Sequence, residues 1–532
     1  MASKYKSRTV LLLILGLILT STIYLGISSL KSNFPMFNLT HATDITEDFI
    51  IDINSADDFE HFKQFTVTEN TGSNQTNVII DPISFTEVNK YCFKDSIRIF
   101  KDPYNSSDEL ISQIYNLKPQ ASETFSSTAD WEDPNGWTST ERPNTNIRVL
   151  PRFGGYKKIV EMYDNSTTGD YCDISSTYSS KTSGTFYITV MTTTKNTTLA
   201  IALTGFGGYA TSIGFFKNGS IYYHDSPTGD PHDSGIQYEI NKWYTFKVTF
   251  NCTSDKYSAW VWDENPQDWA VVGLDIDFVV AQGYVDKTWI HTSGTDKGAF
   301  YIAAMDYSWE IGYEEDRILY VDSANIAFID NLTASETRTY RVYYNSTPTA
   351  PAGYTNISRS GYTVNFTDGG SAIMNIDNIA VLRQFDTNGN EHLGGGNRYQ
   401  MAHVASDLFG NLNATPIISD GPIFIEAWQI EDDNYWTYFR FYENSYIYRY
   451  QNYPGSGTCW FRGGLQADDK IIDFNEQYFH TGGAWENETF DYTGISWQDH
   501  YFVLDEGKMF TEDTGDSNIL ISLWDITPDP YL

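Results

Sequence analysis

Beyond an N-terminal apolar run and one short helical stretch, apolar and polar residues alternate with period two, and that alternation limits the fold more than any other feature of the chain. In Trp243 to Phe250, the side chains of Phe246, Val248 and Phe250 point one way and those of Thr245, Lys247 and Thr249 the other, the pattern of a strand with one wet face. Phe186, Ile188 and Val190 repeat it within Gly184 to Met191. Turn signals such as Lys217-Asn218-Gly219-Ser220 and Pro227-Thr228-Gly229-Asp230 separate the short runs. An all-β sandwich or barrel follows, because a parallel α/β fold would need helices between its strands. One short helix is expected: Ser106 and Glu109 have capping-box spacing, Leu110, Ile111, Ile114, Tyr115 and Leu117 follow, and Pro119 stops the run.

The 532 residues suffice for several cores. Lys and Arg number 34 against 69 Asp and Glu, a net charge of −35, which repels nucleic acid and anionic lipid. Aromatic residues reach 16%, so the acidity belongs to a folded surface and not to a disordered acidic tail. The stretch Ser346-Thr347-Pro348-Thr349-Ala350-Pro351-Ala352-Gly353 reads as a linker between two β-rich halves. The halves resemble distant repeats: Phe215 to Tyr223 (FFKNGSIYY) aligns with Phe441 to Arg449 (FYENSYIYR).

At the N-terminus Lys4, Lys6 and Arg8 precede an uncharged run from Val10 to Leu30, which at ~1.5 Å per residue would span the ~30 Å hydrocarbon core of a bilayer. We expect residues 1–31 to be an uncleaved anchor, or a signal segment, with the rest of the chain outside the cell. Sequons fit that side, at Asn38, Asn74, Asn105, Asn165, Asn196, Asn218, Asn251, Asn331, Asn345, Asn356, Asn365, Asn413 and Asn487. Cys92, Cys172, Cys252 and Cys459 would allow two disulfides in an oxidising compartment, or four buried thiols.

Asn135-Gly136-Trp137 after Phe125, the run Lys158 to Asn165, Asn241 to Val248 and the closing Tyr307-Ser308-Trp309 occur in an order that resembles concanavalin A-like, or laminin G-like, jelly-roll domains of archaeal cell-surface proteins. The family's ending commonly reads Tyr-Ser-Trp-Asp-Pro, and here Glu310-Ile311 replaces the last pair. Asp499 to Leu504 and Trp524-Asp525 extend the resemblance to the second half. It implies two antiparallel jelly-roll sandwiches, at 123–320 and 354–532; outside it, 42–120 reads as a small β-containing region with one short helix and 321–353 as a connector. The resemblance also implies binding of carbohydrate or protein, sometimes with calcium, or glycan cleavage.

Glucanases of this fold carry Glu-x-Asp-x-x-Glu or a form one residue shorter, and neither occurs. The nearest acidic groups, Glu426 with Glu431-Asp432-Asp433, Asp275-Ile276-Asp277 and Glu314-Glu315-Asp316, have other spacings and read as solvated turns. Gly-x-Ser-x-Gly, His-Glu-x-x-His and the P-loop motif are also missing. Asp386, Asn388 and Asn390 gather hard oxygen donors that would suit calcium, although Asn388-Gly389 equally makes a tight hairpin. Trp260 and Trp262 share one strand face and would be either sugar platforms or core. The same choice holds for Tyr446, Tyr448 and Tyr450, and His224 and His232 near Asp225, Asp230 and Asp233 read as a polar loop. The expected function is a membrane-anchored surface protein that binds glycans or neighbouring surface proteins without catalysis. Alternatives are a glycan-cleaving enzyme with an unrecognised carboxylate pair, and a structural envelope component.

Overall fold

The computed structural model describes 61–346, 357–374, 418–428 and 439–443 with short interruptions, and backbone strands alone at 48–50 and elsewhere up to residue 522. Residues 1–47, with the expected anchor, lie outside the described residues. The protein is all-β. The helical turns among the described residues are two 3₁₀ turns, Ser106–Asp108 and Arg317–Leu319, and no helix there is long and apolar enough to cross a membrane.

A ten-stranded central sheet organises the first half. Its order is Asp268–Asp277, Lys256–Asp263, Trp243–Asn251, Ser183–Thr192, Gly298–Tyr307, Tyr156–Asp164, Ser112–Pro119, Val321–Leu332, Gln75–Thr86, with Thr145–Phe153 also paired to Tyr156–Asp164. Over its first six strands it packs on a seven-stranded sheet ordered His232–Gln237, Ser220–Tyr223, Gly208–Phe215, Thr198–Gly205, Val285–Ser293, Cys172–Lys181, Thr138–Glu141. The chain crosses repeatedly between the two sheets: Cys172–Lys181 leads into Ser183–Thr192, which leads back to Thr198–Gly205. Tyr244, Phe246, Val248 and Phe250 of one sheet meet Leu199, Ile201, Ile213 and Ile290 of the other in a common core, so the period-two pattern becomes a sheet-on-sheet interior.

The strand Trp243–Asn251 has no wet face. Trp243 lies in a second core, Thr245 is buried, and Lys247 is covered by an acidic loop. Trp243 is buried because that second core belongs to a second sandwich, built from segments far away in sequence. Residues 61–119 and 321–344 form the far end of the central sheet and a four-stranded sheet ordered Asp48–Ile50, His61–Thr68, Thr337–Tyr344, Arg98–Lys101. Phe65, Val67, Ile80, Ile83, Ile326 and Val342 fill the space between. The segment after residue 320, expected as a connector, therefore runs as two paired strands that close this sandwich.

The expected helix at 106–117 gives way to the turn Ser106–Asp108 and the strand Ser112–Pro119. Gln113, Tyr115, Leu117 and Pro119 face inward alternately, and partners on both edges supply hydrogen bonds that outweigh the local helical pattern.

The two aligned motifs are both hairpins. Phe215 pairs with Ile221 across a wider turn, and Tyr442 pairs with Ser445 across a two-residue one. In the second half Ile357, Val364, Phe366 and Ala372 pack on Ile425, Ala427, Phe439 and Phe441. That half docks on the first: Gln113 Oε1 accepts the backbone N–H groups of Ile423 and Phe424 at 3.0 and 2.9 Å. Cys92, Cys172 and Cys252 are buried free thiols, the second of the two readings the sequence left open.

Candidate functional site

The central sheet is covered on both faces except along its edge strand Asp268–Asp277, whereas the outer face of the seven-stranded sheet is where Tyr209, Trp289 and His291 meet solvent. We call the latter the open sheet. On the strand Val285–Ser293, Thr288, Ile290 and Thr292 are buried while Trp289 and His291 project from the other side. Trp289 and His291 stack with centroids 4.4 Å apart and planes within 14°, and Tyr209 stacks on the opposite face of Trp289 at 5.0 Å and 18°. Side chains two apart on a strand stand side by side, so parallel rings place their planes across the strand and their edges toward solvent. Tyr171 closes the row edge-on against His291, with the Arg142 guanidinium over its ring.

The floor beneath the row is small. Ala200 and Ala202 lie directly opposite His291 and Trp289. Gly214, opposite Ala200, adopts φ +153°, and a Cβ there would lie 1.9 Å from the Leu199 carbonyl oxygen. Small residues let the bulky rings of the next strands settle without lifting off the sheet. The indole N–H of Trp289 donates to Asp173 Oδ1 at 3.1 Å. His291 Nδ1 is buried with no hydrogen-bond partner among the described residues, and burial lowers the imidazole pKa from 6.5 to about 4, so the ring is neutral near pH 7.

At the end of the row the hairpin joining Thr198–Gly205 to Gly208–Phe215 carries Phe206, 94% exposed, and Tyr209, 39% exposed. The hairpin is held in place: Gly207 N–H donates to Gln282 Oε1 at 3.1 Å and Val280 N–H to the Tyr209 carbonyl at 2.8 Å. Tyr209 thus has one face against Trp289 and one turned outward. The arrangement presents apolar ring surface next to a carboxylate acceptor, on a rigid sheet.

The structure separates the expected tryptophans. Tyr257, Ala259 and Val261 face the main core. Trp262, on the other side, is 8% exposed and packs with Phe93, Ile318 and Leu319. Trp260 is half-buried, with Lys247 Nζ 6.0 Å from its ring. That ammonium pairs with Glu315 at 2.7 Å and Asp316 at 3.2 Å. Burial would lower the lysine pKa, but the hydrogen bonds to these carboxylates outweigh it and raise the value. Tyr187 and Trp269 also flank Lys247, at 5.5 and 5.4 Å. The cage around this ammonium is filled by the chain itself, and Glu315 and Asp316 serve it.

Of the other acidic groups, Glu426 is buried against Arg440 and Arg152. Asp277 pairs with Lys256, and Asp275 is exposed. His232 Nε2 lies 2.9 Å from Asp225 Oδ1 and its ring stacks on Tyr223, while His224 sits edge-on to Tyr222. Asp386 and Asn390 belong to the paired strands Leu382–Thr387 and Asn390–Leu393, with Asn388 between them; the side chains of all three, and of Tyr446, Tyr448 and Tyr450, lie outside the described residues. Among the sequons, Asn74, Asn196, Asn218, Asn251 and Asn331 are exposed, Asn365 is half-buried and Asn345 is buried. Asn38, Asn105, Asn165, Asn356, Asn413 and Asn487 lie outside the described residues.

No protein-family model matches the chain, and no curated protein matches it. Among solved structures, a sialidase is similar with TM-score 0.29 and 11% identity over 38% of this chain and 19% of that one. Lectin II from Ulex europaeus is similar with TM-score 0.24 and 8% identity over 37% of this chain and 97% of its own. The carbohydrate recognition domain of Emp47p gives 0.23 and 11% over 38% and 98%. Each is a likeness over about two fifths of the chain, and the chain spans about a fifth of the sialidase's length.

Proposed function

We propose that the protein is a non-catalytic carbohydrate-binding protein of the cell surface, held to the membrane by the apolar run Val10 to Leu30, and that the outer face of the open sheet is its binding surface. The observation that carries the reading is the row Tyr209–Trp289–His291, standing on small residues beside Asp173. A sugar ring has an apolar C–H face and a rim of hydroxyls. The outward face of Tyr209 and the exposed Phe206 offer flat apolar surface for the former, and Asp173 offers an acceptor for the latter. The second half, with its own sheet-on-sheet core, is read as a second module of the same kind.

A glycan-array screen of the full chain in detergent, in calcium and in chelator, tests this, with any hit repeated on Tyr209→Ala and Trp289→Ala. Saturable binding that both variants weaken at least tenfold, with no release of reducing sugar, is the expected result. Binding that neither variant changes would move the site elsewhere, and sugar release would replace the reading with an enzymatic one.

A further inference from the structure

Four sequons of the described chain share one geometry. In each the Asn is exposed and its amide oxygen is already engaged: Asn74 Oδ1 accepts from Ala334 N–H at 3.0 Å, Asn331 Oδ1 from Asn77 N–H at 2.6 Å, Asn218 Oδ1 from Ser220 N–H at 2.9 Å and Asn251 Oδ1 from Thr253 N–H at 2.9 Å. A primary amide held by its oxygen keeps its nitrogen outward, and Nδ2 of these four residues has no hydrogen-bond partner among the described residues. Ser220 Oγ–H also donates to Asn218 Oδ1, at 2.6 Å, so the hydroxyl of that sequon is itself part of the lock.

Asn345 is the opposite case. It is 5% exposed. Its backbone N–H donates to Ser96 Oγ at 2.9 Å and its carbonyl accepts from Phe93 N–H at 2.8 Å and from Ser96 Oγ–H at 3.0 Å. A bulky hydrophilic chain on this side chain would have to be buried without hydrogen-bond partners.

From this contrast we infer that the folded protein carries N-linked glycans at Asn74, Asn218, Asn251 and Asn331 and none at Asn345. The donor is a lipid-linked oligosaccharide. Nδ2 bonds to its anomeric carbon, the bond from that carbon to the phosphate oxygen breaks with its electron pair leaving on the lipid phosphate, and Nδ2 gives up one proton. The placement has a consequence for the open sheet. Its seven strands contain no Asn at all, and Asn218 and Asn251 lie at opposite ends of the sandwich: Asn251 is paired with Ser183, whereas Lys217 beside Asn218 bonds Thr198 beyond the other end of the strand Ser183–Thr192. The glycans would crown the sandwich and leave the Trp289 face bare. The inference stands independently of what that face binds.

Glycopeptide mass spectrometry of the full chain, isolated from the cells that make it, is the test. Expected are glycan masses on most copies of the peptides holding Asn74, Asn218, Asn251 and Asn331, and an unmodified peptide at Asn345. Ser220→Ala should remove the Asn218 glycan and leave those at Asn74, Asn251 and Asn331 in place. A glycan on Asn345 in soluble folded protein, or bare peptides at two or more of the four, would overturn the inference.

Discussion

The indole N–H of Trp289 donates to Oδ1 of Asp173 on the neighbouring strand, at 3.1 Å. That bond fixes the indole in its stack and turns the carboxylate toward the aromatic row. Asp173→Ala should therefore weaken glycan binding about tenfold, which is about 1.4 kcal/mol, through loss of an acceptor and of the indole's orientation. Asp173→Asn keeps an oxygen acceptor for the indole and should lose less. Calorimetric titration of the two variants with an array hit measures both. Equal losses would mean that charge, not ring orientation, is what Asp173 contributes.

His291 gives the open face a pH signature. Its imidazole, between Trp289 and Tyr171, has a pKa of about 4 in the fold against 6.5 ordinarily, because burial penalises the cation. Between those values the unfolded chain takes up a proton that the folded chain refuses. The contribution is full above about pH 6.5 and falls as pH drops toward 4, by on the order of 3 kcal/mol in all. His291→Gln should therefore narrow its stability gap to the wild type as pH falls across that window. Denaturant unfolding at a series of pH values reads the gap, and parallel profiles would show that the histidine titrates normally.

Arg440 is the third case. It bonds Glu426 at 2.8 Å and Asp81 at 3.0 Å, and its guanidinium lies 4.1 Å from the Phe424 ring centre. Burial outweighs Arg440 and holds the Asp81 carboxyl above its usual pKa. Arg440→Met would strand two buried acids at the junction between the halves, and Arg152, 3.3 Å from Glu426, would neutralise only one. A cost of about 3–5 kcal/mol is expected, read as a lower midpoint in denaturant, and adding Asp81→Asn should recover part of it. Additive losses from the two changes would show that the residues do not act as a pair.

How much of this was legible in the sequence differs from strand to strand. Phe246, Val248 and Phe250 announced their inward face, because period-two apolar residues need a core whatever its source. That Trp243 would also be buried was not legible, since it packs in a core shared with residues 61–119 and 321–344, distant in the chain. Around 110–117 the helical and strand periods overlap in Ile114, Tyr115 and Leu117, and only the partner strands decide. The aromatic row had a weak signal: Lys287, Trp289 and His291 alternate with Thr288, Ile290 and Thr292. The buried side is two-thirds threonine, so neither face read as interior, while Trp260 and Trp262 drew notice by standing close together. Tyr209 joins Trp289 only through sheet pairing 80 residues away.

The cysteines supply the last prediction. Cys92, Cys172 and Cys252 are buried and unpaired, and burial raises all three thiol pKa values, Cys172 to about 12 and Cys92 well above the usual range. A thiol must ionise and meet its reagent to react. In the native protein these three should resist iodoacetamide at neutral pH, and all should be alkylated once denaturant opens the cores. Because no crosslink among them supports the fold, a reducing agent should leave the melting temperature unchanged. Cys252 is the most exposed of the three, at 8% against 0% for the others, and its thiol bonds only the Lys181 carbonyl at 3.8 Å, so it should label first as denaturant rises. Rapid labelling of Cys92 in the native protein would mean that the sandwich built from 61–119 and 321–344 opens readily, contrary to the packing of Phe65, Phe85 and Tyr344 around it.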